Sequence, residues 1–287
     1  MPKVMSLETL YKQLRPKLFS IAYRLTGSAA DSHDVVQEVW ANFLEVADTV
    51  EYSEKYLARS VSNRSLNLLE KQKTLREQYK GIYLPEPISY EHLPFEIEQD
   101  LSFSLWLLLE KLTPIERAIF VLHESFDFDY QELAAMFGLK IDTCRQHLHR
   151  AKEHVQQQRK RFEASLAQRK QFVEVFRMAS QQGRVEDLIN FFKNDVVGYS
   201  DGGGKVSAAL KAIIGKINMA KFLEGLAKKR NNLVASYAEI NGWPGFLLVD
   251  ASTHQLDTIL IIEGDTEGVS ALFMVRNPEK FRGVVTN

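Results

Sequence analysis

The chain has 287 residues, 45% hydrophobic and 25% charged, which is enough to bury cores in two or three domains. Its one cysteine, Cys144, excludes an intrachain disulfide and fits a reducing compartment. A net charge of −1 and a pI of about 6.7 exclude a chain that is basic throughout, so nucleic-acid binding has to come from local basic faces.

The first third reads as helix. Leu10, Leu14, Leu18, Ile21, Ala22 and Leu25 recur at helical spacing, and Gly27 is the expected stop. Asp31 is a candidate cap for a second helix through Val35, Val36, Val39, Trp40, Phe43 and Leu44. Residues 53–78 form a third helical segment, carrying Tyr56, Leu57, Val61, Leu66, Leu68 and Leu69 and turning basic towards its end. Residues 81–99 differ in kind. Pro85, Pro87 and Pro94 remove backbone donors and fix extended geometry, so this stretch reads as a semi-rigid linker. Helical spacing resumes near Asp100. Thr113-Pro114 supplies a cap and a first-turn proline, and the pattern runs to Arg169 with breaks at 127–129 and Gly138.

The last third changes again. Residues 170–182, 185–193 and 217–229 read as helices. Residues 196–200, 205–210, 233–240, 246–249, 258–263 and 271–276 read as strands separated by glycine-rich turns. That mixture predicts an α+β domain. Residues 1–10 hold no apolar core behind a basic start, and no apolar run approaches 18 residues. Neither an export signal nor a membrane span is expected, and the expected location is cytoplasmic.

Residues 129–155 are the most informative. Residues 129–137 make a short amphipathic helix, Gly138-Leu139 a tight turn, and residues 140–155 a second helix, the parts of a helix-turn-helix. The second helix sets Cys144, Leu148 and Ala151 on an apolar face, and Arg145, Gln146, His149 and Lys152 on another. Arginine and glutamine can read base edges bidentately, while lysine and arginine grip phosphates. The same spacing also fits a surface helix with a solvated basic face. Cys144 reads as a small core residue.

The string Leu112-Thr113-Pro114-Ile115-Glu116-Arg117, with Glu132-Leu133-Ala134 and residues 145–151, resembles the domain of RNA polymerase sigma factors that reads the −35 promoter element. That resemblance implies that Arg145, Gln146 and His149 face the −35 major groove, with Arg150 and Lys152 on phosphates. Residues 22–27 followed by Asp34-Val35-Val36-Gln37-Glu38-Val39-Trp40 resemble the sigma region that docks on the clamp helices of the polymerase β′ subunit, which implies docking by Asp34, Gln37 and Glu38. Residues 56–64 resemble the segment that melts the −10 element. Asn63 matches the position that meets a flipped-out base, and Arg59, Arg64, Asn67, Lys71, Lys73, Arg76 and Lys80 lie around or beyond it. Both halves in order, with a linker between, identify the chain as resembling the extracytoplasmic-function sigma factors.

The part after residue 168 resembles the SnoaL-like family, cone-shaped α+β domains whose curved sheet wraps a helix and encloses a pocket. Four strings match a sigma subgroup carrying that extension. They are Tyr83-Leu84-Pro85-Glu86-Pro87, Asp201-Gly202-Gly203-Gly204-Lys205, Asn241-Gly242-Trp243-Pro244-Gly245 and Asn277-Pro278-Glu279-Lys280-Phe281. The first usually begins with tryptophan, here Tyr83. The resemblance implies that Lys205 or Lys280 pairs with Glu86 and ties the extension to the linker. Asp250, His254, Asp257 and Asp265 are the candidate acid/base groups of the extension, and most fall at turns.

The resulting expectation is a multidomain chain: two all-α sigma domains, the second a helix-turn-helix, plus an α+β SnoaL-like domain. Expected bounds are 1–80 for the −10 and polymerase-docking domain, 81–99 for the linker, 100–168 for the −35 domain and 169–287 for a domain regulating in cis. The partners implied are RNA polymerase core and promoter DNA, with room for a small ligand in the C-terminal pocket. No membrane partner, metal, cofactor or catalytic group is expected. The rivals are a helix-turn-helix regulator with a ligand-sensing domain, and an enzyme with an accessory DNA-binding module. A regulator of that kind has no need of the segment 34–40 or of Asn63.

Overall fold

Residues 6–89, 101–159, 191–230, 232–265 and 267–284 are described by the computed structural model of the chain. Its contacts divide into two units. One comprises Met1–Glu77, Pro94–Leu101 and Trp106–Gln157, the other Gln78–Leu93, Ser102–Leu105 and Gln158–Asn287.

The first unit is helical. Ser6 caps α1 (Leu7–Thr26), and Gly27, with φ 71°, closes it. A Cβ on Gly27 would lie 2.5 Å from the Trp106 ring, so the position needs glycine both for its backbone and for space. The second helix, α2 (Ala29–Val46), is capped by Ser28 and not by Asp31. It begins two residues before Asp31, which puts that residue inside the first turn, where its carboxylate accepts from Gln72 Nε2 at 3.1 Å. A long α3 (Ser53–Glu77) completes the trio. Leu18, Ile21 and Leu25 of α1, Val35, Val36 and Phe43 of α2, and Leu57 and Val61 of α3 are buried together as the core.

After α4 (Phe103–Glu110), a complete capping box between Thr113 and Glu116 starts α5 (Pro114–Phe126). This helix packs on α1 and α3. Arg117, 3% exposed, donates to Leu25 O at 2.7 Å, to Leu109 O at 2.9 Å and to Glu110 at 2.6 Å, so its buried charge is fully engaged. A second capping box, Asp129 with Glu132, opens α6 (Tyr130–Phe137). Gly138, φ 65°, turns the chain into α7 (Ile141–Arg159).

The second unit is built on one mixed sheet, with strands β1 (Phe192–Asp201), β2 (Ile213–Ile214), β3 (Leu233–Ile240), β4 (Trp243–Asp250), β5 (Leu256–Asp265) and β6 (Gly268–Val275) in the order β2-β1-β6-β5-β4-β3. Strands β3 to β6 form an antiparallel meander, and β1 runs parallel to β6. Asn241-Gly242, at φ 54° and 72°, is the two-residue turn joining β3 to β4. Helix α8 (Lys216–Lys229) lays Met219 against Gly198. Register puts Tyr199, Phe273, Ile261 and Glu263 on one face, and Gly198, Leu272 and Ile262 on the other. On the first face Phe103 packs against Phe273 at 5.4 Å, and Glu263, 2% exposed, accepts from Phe103 N at 2.6 Å and Ser104 N at 3.2 Å. A carboxylate buried against a helix start takes orphan donors and favours the helix dipole.

The expected strand at 205–210 is not formed. Lys205 N and Val206 N both donate back to Gly202 O, so the glycine string spends its donors on a local turn instead of a ladder. Of the helices expected at 170–182 and 185–193, residues 170–190 lie outside the described residues, while Phe192 and Lys193 open β1.

Candidate nucleic-acid interface

The −35 candidates sit on α7. Cys144, Leu148, Ala151 and Val155 are buried, which fixes the helix in rotation and leaves Arg145, Gln146 and His149 exposed. Burial also pushes the Cys144 thiol up from its ordinary pKa, as suits a core residue. Each basic residue named on this helix has an acidic neighbour. Arg145 lies 3.0 Å from Asp142 and its guanidinium stands 5.4 Å above the Tyr130 ring. Arg150 Nε lies 3.3 Å from Glu116, Lys152 Nζ 2.9 Å from Glu124, and His149 Nδ1 3.5 Å from Glu153. Glu116 also closes the α5 cap. Burial raises its pKa, but the Thr113 hydroxyl and backbone donors, His147 and Arg150 outweigh that and hold it below the ordinary value.

The −10 candidates sit on α3. Arg59, Asn63, Asn67 and Lys71 are four residues apart and therefore form one stripe along the helix. Arg59, Asn67 and Lys71 are exposed, and Asn63 and Arg64 are half-buried. Arg76, grouped with them in the sequence, is spent elsewhere: it donates to Glu110 at 2.8 Å and to Thr26 O, closing the C-terminus of α1. Of the docking candidates, Asp34, Gln37 and Glu38 are all exposed on α2, and Glu38 pairs with Arg64 at 2.7 Å.

In the second unit the four strings meet on the linker. Asp201, fully buried, accepts from Tyr79 OH at 2.5 Å, Leu84 N at 3.0 Å, Gly203 N at 2.9 Å and Lys280 Nζ at 2.7 Å. Lys280 also donates to Leu84 O and stands 3.3 Å above the Tyr83 ring. Asn277 Nδ2 donates to Tyr79 OH at 3.1 Å. Burial, together with the Asp201 carboxylate, pushes the Tyr79 phenol far above its ordinary pKa. Asn241 is buried and exchanges two bonds with the linker: Ile88 N to its side-chain oxygen, and its own N–H to Ile88 O, each 2.8 Å. Pro85 and Pro87 are buried and Glu86 half-buried.

Of the two lysines expected to reach Glu86, Lys280 pairs with the buried Asp201, a carboxylate in great need of a counter-charge, and Lys205, on the exposed turn, pairs with Glu279. Gly203 presses against Asn277 at φ 60°, and Gly204, at φ 70°, against the Lys80 stem. Tyr79 was missed in the sequence because nothing in its spacing separates it from the end of a basic helix. Asp250, His254, Asp257 and Asp265 are not gathered by these contacts. Asp250 accepts from Ser252 N and Thr253 N, Asp257 pairs with Arg230, Asp265 pairs with Lys193, and His254 sits in a turn at φ 55°. Among the described residues no group of three His, Cys, Asp or Glu is arranged to hold a metal, and no helix is long and apolar enough to cross a membrane.

A sigma-70 region 2 model matches residues 10–74 and a sigma-70 region 4 model matches residues 102–155. The chain is 28% identical to the ECF RNA polymerase sigma factor SigJ of Mycobacterium tuberculosis, over 95% of this chain and 92% of that protein. It is 27% identical to the probable ECF sigma factor SigI of the same species, over 65% of this chain and 67% of that one. Against SigE of Mycolicibacterium smegmatis it is 28% identical, over 52% and 60%. The crystal structure of M. tuberculosis SigJ matches with a TM-score of 0.74 at 27% identity, covering 96% of this chain and 98% of that one.

Proposed function

The chain belongs to the sigma-70 family, as a sigma factor of the extracytoplasmic-function type, and from that premise we propose that its C-terminal domain regulates its own two promoter-binding regions through the linker between them. As an alternative sigma factor it binds RNA polymerase core and directs promoter-specific transcription. The rival of a ligand-sensing repressor is not favoured, because the region 2 match covers residues such a repressor does not need.

The finer assignments belong to the same proposal. Asp34, Gln37 and Glu38 dock on the β′ clamp helices. Asn63 takes the flipped −10 base, with Arg59, Arg64, Asn67 and Lys71 on the strand backbone. Arg145, Gln146 and His149 read the −35 groove, and Arg150 and Lys152 hold phosphates. The functional divisions proposed are 1–80, 81–99, 100–168 and 169–287, and the site of action is the cytoplasm, where the polymerase is.

The regulatory reading is carried by one observation: Gln78–Leu93 belongs to the same unit as the C-terminal sheet, clamped at Leu84 by Asp201 and Lys280 and at Ile88 by Asn241. A linker that must let two regions reach separate promoter elements is thus held by a third domain. The clamp is intramolecular, so its local concentration is on the order of millimolar and weak contacts suffice. The test compares run-off transcription by core polymerase with full-length protein, Asn241→Ala and Lys280→Met, each checked for an intact fold. Altered promoter activity in both variants, with core binding retained, is the expected result. Equal activity in all three overturns the regulatory role.

A further inference from the structure

Asp142 is an unusual residue for a helix meant to meet DNA. It lies in the first turn of α7, 84% exposed, and shares a face with Arg145, Gln146 and His149. In a helix-turn-helix the first turns of the second helix meet base edges, while phosphates flank them. A carboxylate there is repelled by any backbone it approaches. It is also 3.0 Å from the guanidinium of Arg145, whose other side rests over Tyr130. The carboxylate and the ring together bias the Arg145 side chain towards one orientation before DNA arrives.

We propose that Asp142 is a specificity-determining positioning residue of the −35 helix. The proposal rests on the reading of α7 as that helix. Two effects separate a correct site from random DNA. At the correct site the biased Arg145 makes a paired contact to a base with less side-chain freedom to lose at that moment, and Asp142 can accept from a cytosine amino group beside it. In a wrong register no base rewards the carboxylate, Arg145 has to leave Asp142 to reach a phosphate, and Asp142 repels the same backbone. Asp142 thus lowers random binding more than specific binding. Glu124 on α5 differs. It lies 2.9 Å from Lys152, which the same reading puts on phosphate, so it acts on phosphate attraction and weakens both modes alike.

The experiment measures holoenzyme, made from full-length protein and core polymerase, on two duplexes. One is selected by the unaltered holoenzyme from a randomised pool, and the other is the same duplex with its −35 element scrambled. Asp142→Asn and Asp142→Ala are expected to bind the scrambled duplex about two- to five-fold more tightly, as loss of one exposed ion pair and one repulsive charge allows. Affinity for the selected duplex stays level or falls, so the ratio drops by about two- to five-fold, and by more where the selected affinity falls. Asp142→Glu, which keeps charge and reach, restores most of the ratio. Glu124→Gln raises both affinities by a similar factor. Thermal unfolding of each variant establishes that α7 is intact. If Asp142→Asn raises both affinities equally, or changes neither, the proposal is overturned. Arg145→Ala separates the two levels. Discrimination unaffected by Arg145→Ala breaks the reading of α7 itself, whereas discrimination lost in Arg145→Ala but kept in Asp142→Ala leaves that reading standing and removes Asp142's role.

Discussion

Arg64 on α3 and Glu38 on α2 hold each other at 2.7 and 2.8 Å, so a residue assigned to the −10 strand and a residue assigned to polymerase docking occupy one ion pair. Each must loosen its hold on the other to meet its own partner. On the proposed assignments, polymerase engaging Glu38 would release Arg64 for DNA and so couple the two events. Glu38→Gln is expected to cost less than about 1 kcal/mol of stability, because the pair is substantially exposed. Its larger effects should be weaker core binding and stronger binding of full-length protein to single-stranded DNA without polymerase. Fluorescence anisotropy with a labelled oligonucleotide measures the second. An unchanged value there would show that the two sites are independent.

On α7, Arg145→Ala and Gln146→Ala should each reduce −35 discrimination by about 1–3 kcal/mol per lost paired contact. Lys152→Ala should weaken selected and scrambled duplexes evenly and lower the salt dependence by about one phosphate contact. Competition binding across a salt series distinguishes the two patterns, and a uniform loss for Arg145→Ala would move that residue from the bases to the backbone.

Removing one partner of the buried pair at the linker leaves the other charge without compensation. Lys280→Met should destabilise the second unit by about 3–5 kcal/mol, since Asp201 is fully buried. Lys205→Ala should stay within about 1 kcal/mol, because both Lys205 and Glu279 are largely exposed. Urea unfolding of the two variants side by side gives the comparison, and equal losses would place the clamp on the glycine-rich turn instead of on Lys280.

Tyr79 predicts an alkaline limit. Its pKa is raised in the folded state by burial first and by Asp201 second. Folding therefore holds the phenol proton more tightly than the unfolded chain does. That contribution is complete below the ordinary tyrosine value and is lost as the pH rises above about 10. Tyr79→Phe should begin less stable, having lost the hydrogen bonds to Asp201 and Asn277, yet fall less steeply between about pH 9.5 and 11. Parallel slopes in denaturant titrations across that range would show that Tyr79 is not the group responsible.

The helical frame was legible because period and punctuation agree there. Gly27, Thr113-Pro114 and Gly138 each mark a boundary that the backbone respects. Asp31 misled because the helix starts earlier: Ser28, three residues before it, accepts from the Asp31 N–H, so Asp31 sits inside the first turn. Strands with a buried face stood out, β3 to the residue, whereas 205–210 alternates like a strand but follows glycines whose turn consumes its donors. For the interface, exposure of Arg145, Gln146 and His149 followed from the apolar face opposite. Their carboxylate partners did not, since Glu116 and Glu124 come from another helix and only tertiary packing brings them near. The linker clamp was legible as four strings but not as a wiring: spacing cannot say that Asp201, rather than Glu86, is the acid that goes fully inside.

The Glu263 carboxylate on the first turn of α4 bears on how this protein is to be dissected. The region 4 model begins at residue 102, which invites a fragment starting there. Such a fragment would begin on the helix whose opening donors, Phe103 N and Ser104 N, are satisfied by a residue some 160 positions later, and whose first side chain belongs against Phe273. It would present a bare helix end and an orphaned phenylalanine to water. Poor solubility or low DNA affinity in an isolated region 4 would then report the missing cap, not the strength of the −35 contact, and the reciprocal fragment lacking residues 102–105 would carry a buried carboxylate with its donors gone.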